Sequence, residues 1–316
     1  KERYSVGSSN LEVELYKKYR PTKFSELYGQ EAAVKALTEM GKRGGIPHAI
    51  LFAGPSGTGK TSAARILRKR LNCSDNDYVE LDSAQFRGID TVREIRTKMH
   101  LSPIGGDCRV YLLDEAHQLT GAAADALLKM LEDTPPHVYF FLCTTDPQKL
   151  KNTIKTRCTQ ITVKALGRVD SLKLIESVAA KEEKTIPNEV KDKIIEVADG
   201  SARKTLVLLN SVIGLKDEES QLEYLNTKDA EAEAINLCRV LFNPKAKFVD
   251  AARILRDLKE EPEQLRWMVL GFAKSAILKG GTSTGRAYQV ICAFRDNFLD
   301  SKHAGLAAAC YEVLEG

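Results

Sequence analysis

The chain has 316 residues, with 47 Lys and Arg against 43 Asp and Glu (net charge +4) and 43% hydrophobic residues. That length exceeds what a single core usually organises, so two or three domains are expected, and no apolar run approaches the ~20 residues of a membrane helix. The charge excess is too small to argue for a nucleic-acid partner by itself, and the seven cysteines, without a CxxC pair, read as reduced thiols of a cytosolic protein.

Residues 1–10 are polar and read as a flexible tail. Tyr19-Arg20-Pro21 begins an extended segment, because Pro21 biases Arg20 away from helix; the chain then turns at Gly29 and passes Gln30 into a helix expected over Glu31 to Met40. The apolar run Ala49 to Ala53 reads as a strand. It feeds Gly54-Pro55-Ser56-Gly57-Thr58-Gly59-Lys60-Thr61, and a helix opens at Thr61-Ser62. Glycines let the backbone curl round a polyphosphate where a Cβ would collide, and Lys60 supplies a mobile positive charge for β- and γ-phosphates. Thr61 offers its hydroxyl to Mg²⁺, and the helix start adds the positive end of its dipole. Strand, loop and helix together make a P-loop for ATP.

Beyond the turn-rich stretch Asn72 to Asp77, Tyr78 to Leu81 alternates as a short strand. A helix capped by Asp90 or Thr91 places Val92, Ile95 and Met99 on one stripe and leaves Arg93, Arg96 and Lys98 on the remaining surface. That surface fits either solvent or backbone phosphates. Arg109 to Leu113 then ends in Asp114-Glu115, two carboxylates where a buried strand meets solvent. This Walker B arrangement suits Asp114 to the Mg²⁺ shell and Glu115 to the water that attacks the γ-phosphorus, while the following His117 is read as non-catalytic. A helix over Ala122 to Glu132 stops at Thr134-Pro135-Pro136, and the strand Val138 to Cys143 delivers Thr144, Thr145 and Asp146. Thr145 is the residue chosen to bond the attacking water or the γ-phosphate. Ile161 to Val163 provides a fifth strand.

From Lys164 the pattern turns helical, over Val169 to Lys181, Asn188 to Ala198 and a helix capped by Ser201, whose first turn carries Arg203 within reach of phosphates. The polar stretch Lys216 to Ser220 reads as a linker. Helical runs follow at Asp229 to Phe242, Pro244 to Leu258, Pro262 to Leu278, Thr284 to Leu299 and Lys302 to Leu314, with nothing among them that suggests catalysis.

Tyr19-Arg20-Pro21, the P-loop, Phe86 to Asp90, Asp114 to His117, Cys143 to Leu150, Thr156-Arg157-Cys158 and Gly200 to Arg203, taken in order, resemble the ATPase subunits of sliding-clamp loaders, most of all the bacterial gamma/tau type. The chain lacks that type's cysteine-rich zinc insertion after the P-loop helix; in this it is compact like a replication factor C small subunit, a combination a phage-encoded loader would have. The resemblance implies an α/β AAA+ P-loop core with a five-stranded parallel sheet (residues 11–163), a small helical lid (164–226) and an all-α collar (227–316) that joins subunits in a ring of five. It implies ATP and Mg²⁺ as ligands, and a sliding clamp and primer–template DNA as partners, in a bacterial or phage-infected cytoplasm. By the same likeness Arg157 is the arginine finger reaching a neighbour's nucleotide, Arg203 is sensor 2 and Thr145 sensor 1. Arg87 and Arg93 match positions that track DNA, and Tyr19, Arg20, Pro21 and Gln30 lie in the adenine-side segment. A branch-migration motor or a helicase loader is the alternative.

Overall fold

The computed structural model describes residues 14–43, 45–82, 89–256, 258, 261–281 and 283–316. It separates into two compact units, Lys1–Gly214 and Leu215–Gly316.

In the first unit five strands, β1 (Ala49–Ala53), β2 (Tyr78–Asp82), β3 (Arg109–Asp114), β4 (Val138–Thr144) and β5 (Thr159–Thr162), form one sheet in the order β2-β3-β4-β1-β5, every pairing parallel. Parallel strands need crossovers, and these put helices on both faces. The helices are α1 (Leu15–Lys18), α2 (Glu31–Arg43), α3 (Lys60–Arg70), α4 (Ile89–Lys98), α5 (Gly121–Glu132) and α6 (Asn152–Lys155), then α7 (Arg168–Lys181), α8 (Asn188–Ala198) and α9 (Ala202–Val212). The central strands β1, β3 and β4 are buried on both sides, so alternate residues feed two cores. Ile50, Phe52, Val110, Leu112, Phe141 and Cys143 pack with Leu37 of α2 and Ala63, Ala64 and Leu67 of α3. Leu51, Tyr111, Leu113, Phe140 and Leu142 pack with Ile95 of α4 and Leu127 and Met130 of α5.

The register sets the site. Ala53 pairs with both Thr144 and Thr162, and Leu113 with Leu142, so Gly54, Asp114 and Thr144 emerge together at the carboxyl ends of β1, β3 and β4. In open α/β sheets ligands bind at that edge.

The second unit is helical: α10 (Glu218–Leu241), α11 (Phe248–Arg256), α12 (Pro262–Lys279), α13 (Thr284–Phe294) and α14 (Lys302–Glu315), around a core that includes Leu237, Leu241, Leu265, Val269, Phe294 and Leu306. Three expected boundaries move. The stretch expected to link at Lys216 to Ser220 instead starts α10: the Asp217 carboxylate accepts from the Ser220 N–H at 2.8 Å, and Glu218 and Glu219 favour a helix N-terminus. The helix expected from Pro244 begins at Phe248, because Asn243 holds a turn by accepting from the Lys245 N–H (3.0 Å) and Asp250 accepts from the Lys247 N–H (3.1 Å). The helix expected to reach Leu299 ends at Phe294. There the buried Arg266 guanidinium takes the carbonyls of Phe294 and Arg295, and Glu263 takes the Phe298 N–H at 2.8 Å. No described helix is long and apolar enough to cross a membrane.

Candidate functional site

The loop leaving β1 is shaped by contacts that forbid side chains. A Cβ on Gly54 would stand 1.9 Å from the Val163 carbonyl oxygen, and one on Gly57 (φ 72°) would stand 2.1 Å from Ser201 Oγ. Gly59 has φ 105°, a left-handed conformation that suits glycine, and it is the residue from which α3 starts. Lys60 is 5% exposed, and its Nζ donates to the carbonyls of Gly54 (2.8 Å) and Pro55 (2.7 Å). Burial lowers its pKa from the ordinary lysine value, since an enclosed ammonium loses hydration. Thr58 closes the turn on itself by donating to the Pro55 carbonyl at 2.9 Å.

Across from the loop, the Thr61 hydroxyl donates to Asp114 Oδ2 at 3.1 Å. The two groups assigned to a metal ion therefore converge from α3 and β3, and both present the oxygen donors that a hard cation prefers. Asp114 Oδ1 accepts from the Glu115 N–H (3.0 Å), and Glu115 adopts φ 49°. The Thr145 hydroxyl donates to Glu115 Oε2 at 3.3 Å, and His117 Nδ1 stands 3.3 Å from the same oxygen.

These groups open on a cleft of about 390 Å³ lined by Tyr16, Tyr19, Arg20, Pro21, Ser56 to Ser62, Asp114, Glu115, Leu174, Val178, Lys181 and Arg203, among others. Arg203 arrives from α9: its N–H donates to the Gly57 carbonyl at 3.1 Å, and its guanidinium lies over the Tyr16 ring at 4.8 Å. Ser201 caps α9 by accepting from the Lys204 N–H, as expected of its position. The structure thus gathers the P-loop, both carboxylates, Arg203 and Tyr19-Arg20-Pro21 at one cleft.

Thr145 is held against Glu115 and does not itself line the cleft, and three further assigned residues are elsewhere. Gln30, 3% exposed, does not line the cleft. Its amide is spent on the backbone of Lys164, donating to the carbonyl at 2.8 Å and accepting from the N–H at 2.9 Å. Arg157 does not line the cleft either: it donates to Glu132 Oε1 (2.6 Å) and to the Thr153 carbonyl (3.0 Å) just beyond α6. Arg93 is exposed on α4, and Arg87 lies outside the described residues. Sequence reasoning missed the far wall of the cleft, Tyr16 with Leu174, Val178 and Lys181. The three α7 residues recur at 4- and 3-residue spacing, which marks one helix face without telling what the face meets.

A family described as "DNA polymerase III, delta subunit" matches residues 29–85 and 74–167. The DNA polymerase III subunit gamma/tau of Mycobacterium tuberculosis is 35% identical over 222 residues, covering 63% of this chain and 38% of the relative. Subunit tau of Bacillus subtilis is 34% identical over 230 residues (66% and 41%), and that of Escherichia coli 36% over 224 residues (64% and 35%). The chain therefore spans well under half the length of these curated relatives. Among solved structures, the Thermotoga maritima RuvB Holliday junction branch migration motor superposes with TM-score 0.57 at 20% identity, covering 75% of this chain and 85% of that one. At that identity the likeness speaks for the fold alone, a parallel α/β core with helical additions. The resemblance drawn from the motifs to clamp-loader ATPases agrees with the gamma/tau matches.

Proposed function

We propose, from the premise that this chain is a relative of the gamma/tau subunits of DNA polymerase III, that it is the ATPase subunit of a clamp loader, which spends ATP to place a ring-shaped sliding clamp on primer–template DNA. The observation that carries the reading is the level of likeness to those subunits, 33–37% identity over 222–266 residues, against 20% to the branch-migration motor that shares the fold.

Each residue then has a part. The P-loop from Gly54 to Thr61 enfolds the triphosphate, and Lys60 exchanges its loop carbonyls for phosphate oxygens. Thr61 and Asp114 would hold Mg²⁺, which neutralises charge on the phosphates when bound. Glu115 orients the attacking water and takes its proton, Thr145 steadies that carboxylate, and Arg203 contributes its cation from α9. Tyr19, Arg20 and Pro21 line the nucleoside end. Arg157 serves the nucleotide of an adjoining subunit in a five-membered ring, with residues 215–316 as the collar and residues 164–214 as the lid, since the boundary expected at 226/227 would cut α10.

Turnover of ATP by the full chain, measured with and without primed DNA and a candidate clamp, tests the whole. Stimulation by both together is expected; hydrolysis indifferent to a clamp, in a closed hexamer, would favour the motor. Glu115→Gln should keep ATP binding and lose roughly 10²–10⁴ in turnover. Arg93 on α4 is assigned to the DNA backbone, so Arg93→Ala should flatten the salt dependence of DNA binding by ~0.9 in logarithmic slope.

A further inference from the structure

His117 has no part in the reaction as assigned above, yet its side chain is only 12% exposed and its Nδ1 stands 3.3 Å from Glu115 Oε2. The same nitrogen is 3.1 Å from Thr144 Oγ1, an oxygen that already accepts from the Asp146 N–H at 3.1 Å on a residue with no exposed surface. The backbone explains why side chains two apart in sequence meet. Glu115 is left-handed, and the tight turn Ala116–Gln118 that follows is closed by the Gln118 N–H donating to the Glu115 carbonyl at 2.9 Å.

The proton arrangement follows from the partners. An unprotonated Nδ1 could take the Thr144 hydroxyl proton but would set its lone pair against a carboxylate oxygen at 3.3 Å, a repulsive contact; Nδ1–H turns that contact into a hydrogen bond, with Thr144 Oγ1 as a second acceptor. With Thr145 donating to that same Oε2, two donors from different elements bear on one oxygen of a carboxylate that lines the cleft. Resting on the assignment of Glu115 as the proton acceptor, we propose that His117 is a positioning residue: its Nδ1–H, backed by Thr144, fixes the Glu115 carboxylate so that Oε1 is the oxygen left for the proton of the attacking water. An untethered glutamate on a solvent-facing turn would divide its time among rotamers, and misplacement by about 1 Å costs on the order of 10²-fold in rate.

The test compares His117→Phe, His117→Asn and His117→Gln in the full chain. His117→Phe keeps the ring volume and removes the donor. It should lower kcat on the order of 10- to 100-fold while KM for ATP stays within about twofold of the parental value. His117→Asn, whose amide N–H falls near the place of Nδ1–H, should recover most of the loss, and His117→Gln, which reaches the place of Nε2, should not. Unchanged or faster turnover in His117→Phe, or His117→Asn no better than His117→Phe, overturns the proposal. A second readout needs no turnover: nitrogen NMR of the labelled imidazole, assigned by the signal missing in His117→Phe. Nδ1–H is the expected form, and Nε2–H overturns the proposal even where hydrolysis is normal. A parental chain without hydrolysis would sink the ATPase reading, and the ring signal would still decide the contact.

Discussion

Two cations assigned to phosphate are stored in opposite ways. Lys60 is 5% exposed, folded onto the carbonyls of its own loop and walled by glycines that admit no side chain. The Arg157 side chain is 39% exposed and rests on a carboxylate, Glu132, that is 43% exposed. The difference teaches where each can act. A cation that serves its own nucleotide can be built into the loop, with its desolvation offset by fixed carbonyls. One that serves another subunit's nucleotide must wait at the surface, held by a pair worth only about 0.2–1 kcal/mol and so exchanged at small cost for a phosphate.

The sharpest way to break this contrast is to separate the two cations genetically. Arg157→Ala should cost roughly 10³–10⁵ in turnover within the assembled ring, with ATP binding retained, and Arg157→Lys should do little better, because a compact ammonium lacks the planar fork. Lys60→Ala should lose binding itself. Rings mixed from Arg157→Ala and Lys60→Ala chains should regain part of the activity, since some interfaces then pair an intact loop with an intact finger; mixed rings that stay silent would return Arg157 to a purely structural role. Of intermediate size is the buried side. Gly54→Ala drives a methyl into the Val163 carbonyl, so an overpacking cost of ~1–3 kcal/mol should lower Tm by roughly 2–12 °C, read by calorimetry. The smallest effect belongs to the surface pair. Glu132→Ala should change unfolding free energy by less than about 1 kcal/mol and leave hydrolysis in the ring intact; a large loss of stability would mean that the Arg157 pair is structural after all.

The same contrast separates what was legible in the sequence from what was not. Lys60, Thr61, Asp114 and Glu115 could be read because a parallel strand ends in a loop whose residues share one task, so the motif is contiguous and the strand register does the rest. Thr145 and Arg203 were legible for the same reason, each next to a strand end or a capped helix start. Contacts between distant stretches left no such trace. Nothing in Tyr16 announces that it lies under Arg203, and nothing in His117 announces that a left-handed residue two positions earlier folds it back onto Glu115. The ends of α10 and α13 slipped for a related reason: Asp217 and Arg266 decide them by side-chain hydrogen bonds, which a count of apolar periods does not see.

Gln30 carries a mechanical consequence. Its amide meets both the N–H and the carbonyl of Lys164, as a neighbouring strand would, just past the end of the edge strand β5, and so fastens that point of the chain to the start of α2. Two residues on, the Leu166 N–H donates to the Gly200 carbonyl at 2.9 Å, which fastens residue 166 to the turn between α8 and α9. Ala165 is all the chain that lies between these anchorages. Along this stretch of backbone, any tilt of α7, α8 and α9 against the sheet must be taken up in the torsions flanking Ala165, which makes one small residue the pivot pin of a three-helix lever, with Gln30 as the bracket that keeps the pin from travelling.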